Sequence, residues 1–307
     1  MSRYHIPAGS SPAGPFELEL TPATCGWTYC SLRVLSLGPG EQASFATGPE
    51  EMLVLPLSGG CTVSADGTEL RLAGRRSVFS RISDFAYLPK DATVTVASAT
   101  GGRFALPAAV ASRRLPVRYG PAEAVPVELR GAEQASRQVN NFCAPETFEC
   151  DKLVAVEVLT PAGNWSSYPP HKHDRAGVGA EADHAVGSGG SPARANTEAV
   201  LEEIYYFEID ERERGAGMAY QRVYSSAPDR QIDVLAEVRS GDTVLVPHGY
   251  HGPSMAAPGH HLYYLNVLAG PAAQRSMAFS DDPAHAWIRA TWRDQQVDPR
   301  LPLTSGG

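Results

Sequence analysis

Residues 202–209, EEIYYFEI, open on paired glutamates and continue as an apolar run, and residues 50–60, EEMLVLPLSGG, have the same form. Each is followed by a second matching segment: FAYLPKDATVTV at 85–96 has the form of TVLVPHGYHGP at 243–253. Self-similarity along a chain signals an architecture used more than once. Here it predicts two related β-barrels in tandem.

The rest of the chain has the same texture. The 29 glycines and 25 prolines are spread throughout the 307 residues, and between them lie short β-branched or alternating segments. Examples are SLRVLSL (31–37), ATVTVAS (92–98), KLVAVEVLT (152–160), AYQRVYS (219–225), DTVLVP (242–247) and HLYYLNVL (261–268). In CTVSADGTELRL (61–72), Asp66-Gly67 between alternating halves is a two-residue hairpin signal. Only DDPAHAWIRATWRDQ (281–295) reads as helical, with Trp287, Ile288 and Trp292 able to share one face; His285 and Trp287 are expected to pack it on the barrel. The expected fold is all-β: an N-terminal barrel over 1–125, a C-terminal barrel over 126–307, and a short C-terminal helix.

Composition limits the function classes. A net charge of -8 from 26 basic and 34 acidic residues leaves no basic stripe for phosphates, so nucleic acid is not an expected partner. No apolar run is long enough to span a bilayer, the opening MSRYHIPAGSSPAG lacks a signal-peptide core, and the cytoplasm is the expected compartment. The five cysteines, Cys25, Cys30, Cys61, Cys143 and Cys150, lack paired spacing and read as reduced. A homo-oligomer is expected.

Ahead of the second pair of glutamates stands NWSSYPPHKHD (164–174). On a strand His171 and His173 project from one face and Lys172 from the other, so the two imidazoles can share a metal ion. A surface HxH without a metal is the plainer reading of that motif alone. The first half has SLGPGEQASFATG in the corresponding place and no histidine after its Leu-Pro, so it would be scaffold. Between His173 and Glu202 the chain is rich in Gly, Ala and Ser; residues 174–201 are expected to be an inserted loop or lid, with His184 a solvated side chain.

HKH (171–173), EEIYYF (202–207) and GDTVLVPHGYH (241–251) together resemble the cupin superfamily. Its first motif gives HxH and a glutamate on the next strand; its second gives Gly241, Pro247 and a third histidine. His251 follows Gly249 after one residue where the general motif has two, and His248 is the alternative. In related cupins the second of two glutamates is the ligand. Strand parity then turns Glu203, Tyr205, Phe207 and Ile209 inward and leaves Glu202 and Glu208 outside, which avoids burying an unpaired Glu208. The resemblance thus implies His171, His173, Glu203 and His251 as ligands of a divalent metal, Zn first, with Mn, Fe, Co and Ni also suited.

The longer runs NWSSYPPHKHD, LEEIYYFEI, VLVPHGYHG and YYLNVLAGP, with SRQVNNFCAPE upstream, resemble the bacterial 5-deoxy-glucuronate isomerases of inositol catabolism, a bicupin family. The resemblance implies a small uronate substrate and an aldose-to-ketose isomerisation in which a proton leaves C2 and returns at C1. Tyr250, Tyr205 and Glu202 are the candidates for proton transfer. The substrate carboxylate calls for a cation; Arg222 is the first candidate, with Arg137 and Lys172 as alternatives, and Lys172 alternates away from the metal. A cupin oxygenase and a non-catalytic sugar-acid binding cupin are the competing classes.

Overall fold

The computed structural model describes residues 2–176, 198–211 and 215–306; the expected loop is described only at its two ends, and His184 lies outside the described residues. Among the described residues the strands form sheets of nine, seven and six. The nine-stranded sheet, from Phe16–Leu20 to Arg118–Gly120, curls into the first barrel and uses residues of the first half alone. Asp66 and Gly67 both take positive φ at the hairpin between Glu50–Ala65 and Thr68–Arg75, as their sequence predicts.

The second barrel is built from two facing sheets. One runs in the order His5–Ile6, Thr243–Val246, Glu202–Ile209, Leu262–Ala269, Val154–Thr160, Arg137–Asn140, Val127–Arg130. The other runs Asp233–Val238, Ala219–Tyr224, Tyr250–Ala256, His171–Lys172, Ser280–Asp281. The N-terminal residues His5 and Ile6 thus pair with Val244 and Thr243 of the second barrel.

Three cores result. Leu35, Met52, Val54, Val63 and Phe104 fill the first barrel, and Val139, Tyr205, Phe207, Val223, Val244 and Tyr264 the second. Leu32, Leu53, Leu55, Ile204, Tyr206, Leu265 and Val267 fill the space between them. The strands at the heart of each barrel are therefore buried on both faces, which is why they read as continuous apolar runs. A fully buried ion pair, Arg75 with Glu157, crosses the shared core, and Tyr263 donates its hydroxyl to the same glutamate at 2.9 Å.

A reciprocal contact fixes how the two halves meet. The carboxylate of Glu202 accepts the successive N–H groups of Thr28, Tyr29 and Cys30 at 2.7, 2.7 and 2.9 Å, where the chain enters a first-barrel strand. The carboxylate of Glu51 accepts those of Asp151, Lys152 and Leu153 at 2.8, 2.5 and 2.7 Å, beside the second-barrel strand that begins at Val154. Glu51 therefore corresponds to Glu202. The strand registers agree: Met52 pairs with Leu88, which precedes Pro89, just as Glu203 pairs with Val246, which precedes Pro247. The two glutamate pairs are thus offset by one residue, and Met52 occupies the first-barrel position of Glu203.

The cysteines are free, and no helix among the described residues is long and apolar enough to cross a membrane. The C-terminal helix is one turn, Ile288–Thr291, continued by a 3-10 turn over Trp292–Asp294. Its expected apolar face is only partly used: Trp287 is 61% exposed, whereas Trp292 lies beneath two arginines.

Removing an acceptor from buried N–H groups costs their desolvation. Glu51 is fully buried and Glu202 is not. Glu51→Ala should therefore lower stability by about 3 kcal/mol, and Glu202→Ala by less. Urea unfolding of the two variants checks the order, and a wild-type midpoint for Glu51→Ala would refute the contact's role.

Candidate metal centre

The clasp on Glu202 turns the next residue the other way. Glu203, 1% exposed, enters the second-barrel interior from the Glu202–Ile209 strand, flanked by Val246 and Leu268 on the neighbouring strands. His251 enters from the facing sheet, and His171 is its direct cross-strand partner. His251 is set between Gly249 and Gly252, both at positive φ. At Gly252 a Cβ would lie 1.9 Å from the Ser167 carbonyl oxygen, so only glycine lets this strand lie so close to the segment that leads to His171.

Ligand atoms of His173, Glu203 and His251 all lie within 4.8 Å of one another, and all three residues are buried. His173 Nε2 and His251 Nε2 each stand 3.0 Å from Glu203 Oε2. His251 Nε2 is buried and, although 3.0 Å from that oxygen, makes no hydrogen bond of good geometry. On the far side of each ring Nδ1 faces a backbone carbonyl: Leu201 O at 3.2 Å for His173, Gly249 O at 3.2 Å for His251 and Pro169 O at 3.4 Å for His171. With a metal bound, those carbonyls would keep the ring proton on Nδ1 and leave Nε2 a lone pair; without one, His173 Nε2 is in hydrogen-bond contact with Glu203 Oε2 at 3.0 Å. Two imidazole lone pairs aimed at one carboxylate oxygen repel unless a cation or a proton stands between them. This donor set, with each ring N–H bound to a carbonyl, fits a divalent metal.

His171 stands outside that tight set. Its ring centroid is 4.4 Å from that of His251 and 6.5 Å from that of His173, with Phe279 on another side at 4.9 Å. Burial would raise the Glu203 pKa, but His251 and His173 outweigh it and bring it down to about 2. Burial lowers the His173 pKa, and the Glu203 carboxylate more than restores it. Burial and the neighbouring His251 and His173 push His171 well below the usual imidazole value, which keeps it neutral.

The remaining expected residues divide sharply. Tyr205 is in the interior beneath the cluster: its ring is 6.1 Å from His251, and its hydroxyl is 3.2 Å from Ser167 Oγ, which also meets the Tyr264 hydroxyl at 3.0 Å. Glu202 is not at the cluster, because its carboxylate is spent on the Thr28–Cys30 backbone of the other barrel. Tyr250 precedes His251 and so takes the opposite face of the strand, against the Tyr224 ring at 5.6 Å. Arg222 faces outward too, paired with Asp233 and lying over Tyr224. Lys172 binds Glu198 at 2.7 Å and Asp174 at 3.0 Å. Glu198 also accepts the N–H groups of Asp174 and Arg175, so Lys172 braces the ligand segment from behind. His248 is half-buried outside the cluster, its pKa lowered by burial and by Arg230.

One polar neighbour of Glu203 is absent from the residues that motif spacing selects. Asn266 donates Nδ2–H to Glu203 Oε1 at 2.5 Å. The signal was present, since a lone asparagine inside the apolar strand Leu262–Ala269 must find a partner.

Comparison with known proteins agrees with the architecture. The model of the KduI/IolB family matches residues 6–288. The chain is 37% identical over 290 residues to the 5-deoxy-glucuronate isomerase of Geobacillus kaustophilus (strain HTA426), covering 94% of this chain and 96% of that one. An IolB-like protein from Salmonella typhimurium LT2 superimposes with a TM-score of 0.79 at 33% identity, over 94% of this chain and 100% of its own. Bacillus subtilis oxalate decarboxylase, a protein with Mn(II) centres, superimposes with a TM-score of 0.54 at 12% identity over 86% of this chain and 74% of its own, a likeness of cupin fold alone. The chain is a bicupin and belongs to the KduI/IolB family.

Proposed function

We propose that the protein is a metal-dependent sugar-acid isomerase that converts 5-deoxy-D-glucuronate to 5-dehydro-2-deoxy-D-gluconate in inositol catabolism. The observation that carries this reading is the likeness, over 94% of this chain, to an isomerase of that substrate. The buried His173, Glu203 and His251 support it, since they gather three metal-ligand side chains at one point of the second-barrel interior.

His173, Glu203 and His251, with His171 beside them, would hold a divalent cation. Bound there, it would supply Lewis-acid stabilisation of the negative charge that develops on the substrate's C1 and C2 oxygens as the C2 proton leaves. The chain's own residues set the rest. Asn266 fixes Glu203 Oε1 and so directs Oε2 at the imidazoles. The three Nδ1–H groups, each held by a carbonyl, lock the ring orientations. Of the three residues expected to move a proton, Tyr205 alone shares the interior with the cluster. Burial and the Glu203 carboxylate raise its pKa well above the usual phenol value, so it acts as a neutral hydrogen-bond donor rather than as a base.

NMR of the metal-loaded protein with 5-deoxy-glucuronate in D₂O under nitrogen should show the 5-keto product; no conversion with metal bound would overturn the substrate assignment, and turnover only in oxygen would make the protein an oxygenase. His251→Ala should lose its metal by elemental analysis and abolish turnover while keeping its far-UV circular dichroism. Asn266→Ala should weaken metal affinity by about 10- to 100-fold, as loss of a partner of a ligating group does; unchanged affinity in a chelator titration would refute its role.

A further inference from the structure

The second-barrel interior holds an arginine that forms no salt bridge among the described residues. In the strand Arg137–Asn140, Gln138 and Asn140 face the space between the barrels, where they meet Thr304 and Glu157. Val139 lies in the second-barrel core, so its alternate, Arg137, faces that interior as well. Arg137 is 5% exposed. Its hydrogen bond is from Nη1 to the Ala135 carbonyl at 3.2 Å, and no carboxylate among the described residues pairs with it. Its cross-strand neighbour is Arg130, a like charge. Glu128, also on that edge, is taken up by Arg130 at 2.7 and 2.9 Å. Burial first, then Arg130 and Arg289, lower the Arg137 pKa to about 9 against the opposing pull of Tyr264 and Glu128, which still leaves it a cation at neutral pH.

A buried cation held in no salt bridge is costly, and a guanidinium in that position is suited to an anion. A relay of ring contacts runs from this guanidinium to His171. Arg137 lies 5.8 Å from the Trp292 ring, and Arg289 lies 5.2 Å from the same ring. Arg289 also covers Phe279 at 5.3 Å, and Phe279 packs on His171, the cross-strand partner of His251. Arg289 is already neutralised by Asp281. Arg137 is not.

Resting on the isomerase reading of this centre, we propose that Arg137 binds the carboxylate of the sugar-acid substrate and so turns the opposite end of the sugar toward His173, Glu203 and His251. The planar guanidinium suits a carboxylate, which it can grip with two N–H donors. The assignment replaces the outward-facing Arg222 and Lys172 as the carboxylate partner.

The test needs no turnover, so it is separate from the isomerase assay. Calorimetry on the metal-loaded protein compares D-glucuronate with D-glucose, its counterpart with an alcohol in place of the carboxylate. The wild type should bind the uronate at least about tenfold more tightly, the range of a hydrogen bond to a charged group. Arg137→Met should abolish most of that preference without changing metal content or glucose affinity. A wild type without the preference, or an Arg137→Met variant that keeps it, would overturn the assignment; equal loss of both sugars would make Arg137 structural. Arg137→Gln decides the same question should the Met variant not fold. If the preference behaves as expected but 5-deoxy-glucuronate is not turned over, the isomerase reading fails and the carboxylate site stands.

Discussion

The structure depends on two carboxylates, each gripping three consecutive backbone N–H groups of the opposite barrel. Glu51 and Glu202 stand at corresponding places on the central strand of each half, and their partners lie where a strand of the other half begins. Hydrogen bonds from several N–H groups to one carboxylate are strong and directional. A one-residue slip would exchange the two faces of a strand. On a strand apolar on both faces, burial alone opposes such a slip weakly, and the clasp supplies the missing specificity: it commits Glu202, Ile204 and Tyr206 to the shared core and Glu203, Tyr205 and Phe207 to the second-barrel interior. The candidate metal centre therefore depends on a contact that touches none of its ligands.

That dependence explains what the sequence could and could not reveal. Strands were legible wherever turn residues bounded an apolar run, as from Leu262 to Ala269, and the hairpin at Asp66-Gly67 was legible because only a few residues tolerate its backbone. The gathering of His173, Glu203 and His251 was legible through the cupin resemblance, with strand parity supporting Glu203. Nearness in sequence misled where alternation would have helped: Tyr250 beside His251 takes the opposite face, against Tyr224, and Arg222 also faces outward, paired with Asp233. Glu202 looked like a second carboxylate of the site because its actual partners lie 172 to 174 positions away in the sequence. Arg137 could be named but not ranked, since its distinction is the lack of a partner, which only the fold displays.

The two barrels keep one frame and differ in what fills it. In the first, Met52 stands where the second has Glu203, and its companions Val54, Leu88, Val96 and Phe104 make a dry interior that needs no polar partners. In the second, the same positions surround Glu203, Asn266, Ser167, Tyr205 and Tyr264, joined by hydrogen bonds. A fully satisfied buried network rigidifies a core, whereas an unsatisfied one destabilises it. Among the groups that this interior leaves short of partners are His251 Nε2 and the guanidinium of Arg137. Chains violate local rules where function requires it. One of these groups offers a lone pair and the other a positive charge, which are the complements of a cation and an anion. A metal ion and a carboxylate held in one interior, with a sugar between them, would complete the hydrogen bonding and charge balance that the fold alone leaves open. The apolar first barrel and the shared core supply the stability against which that incomplete interior is held in place.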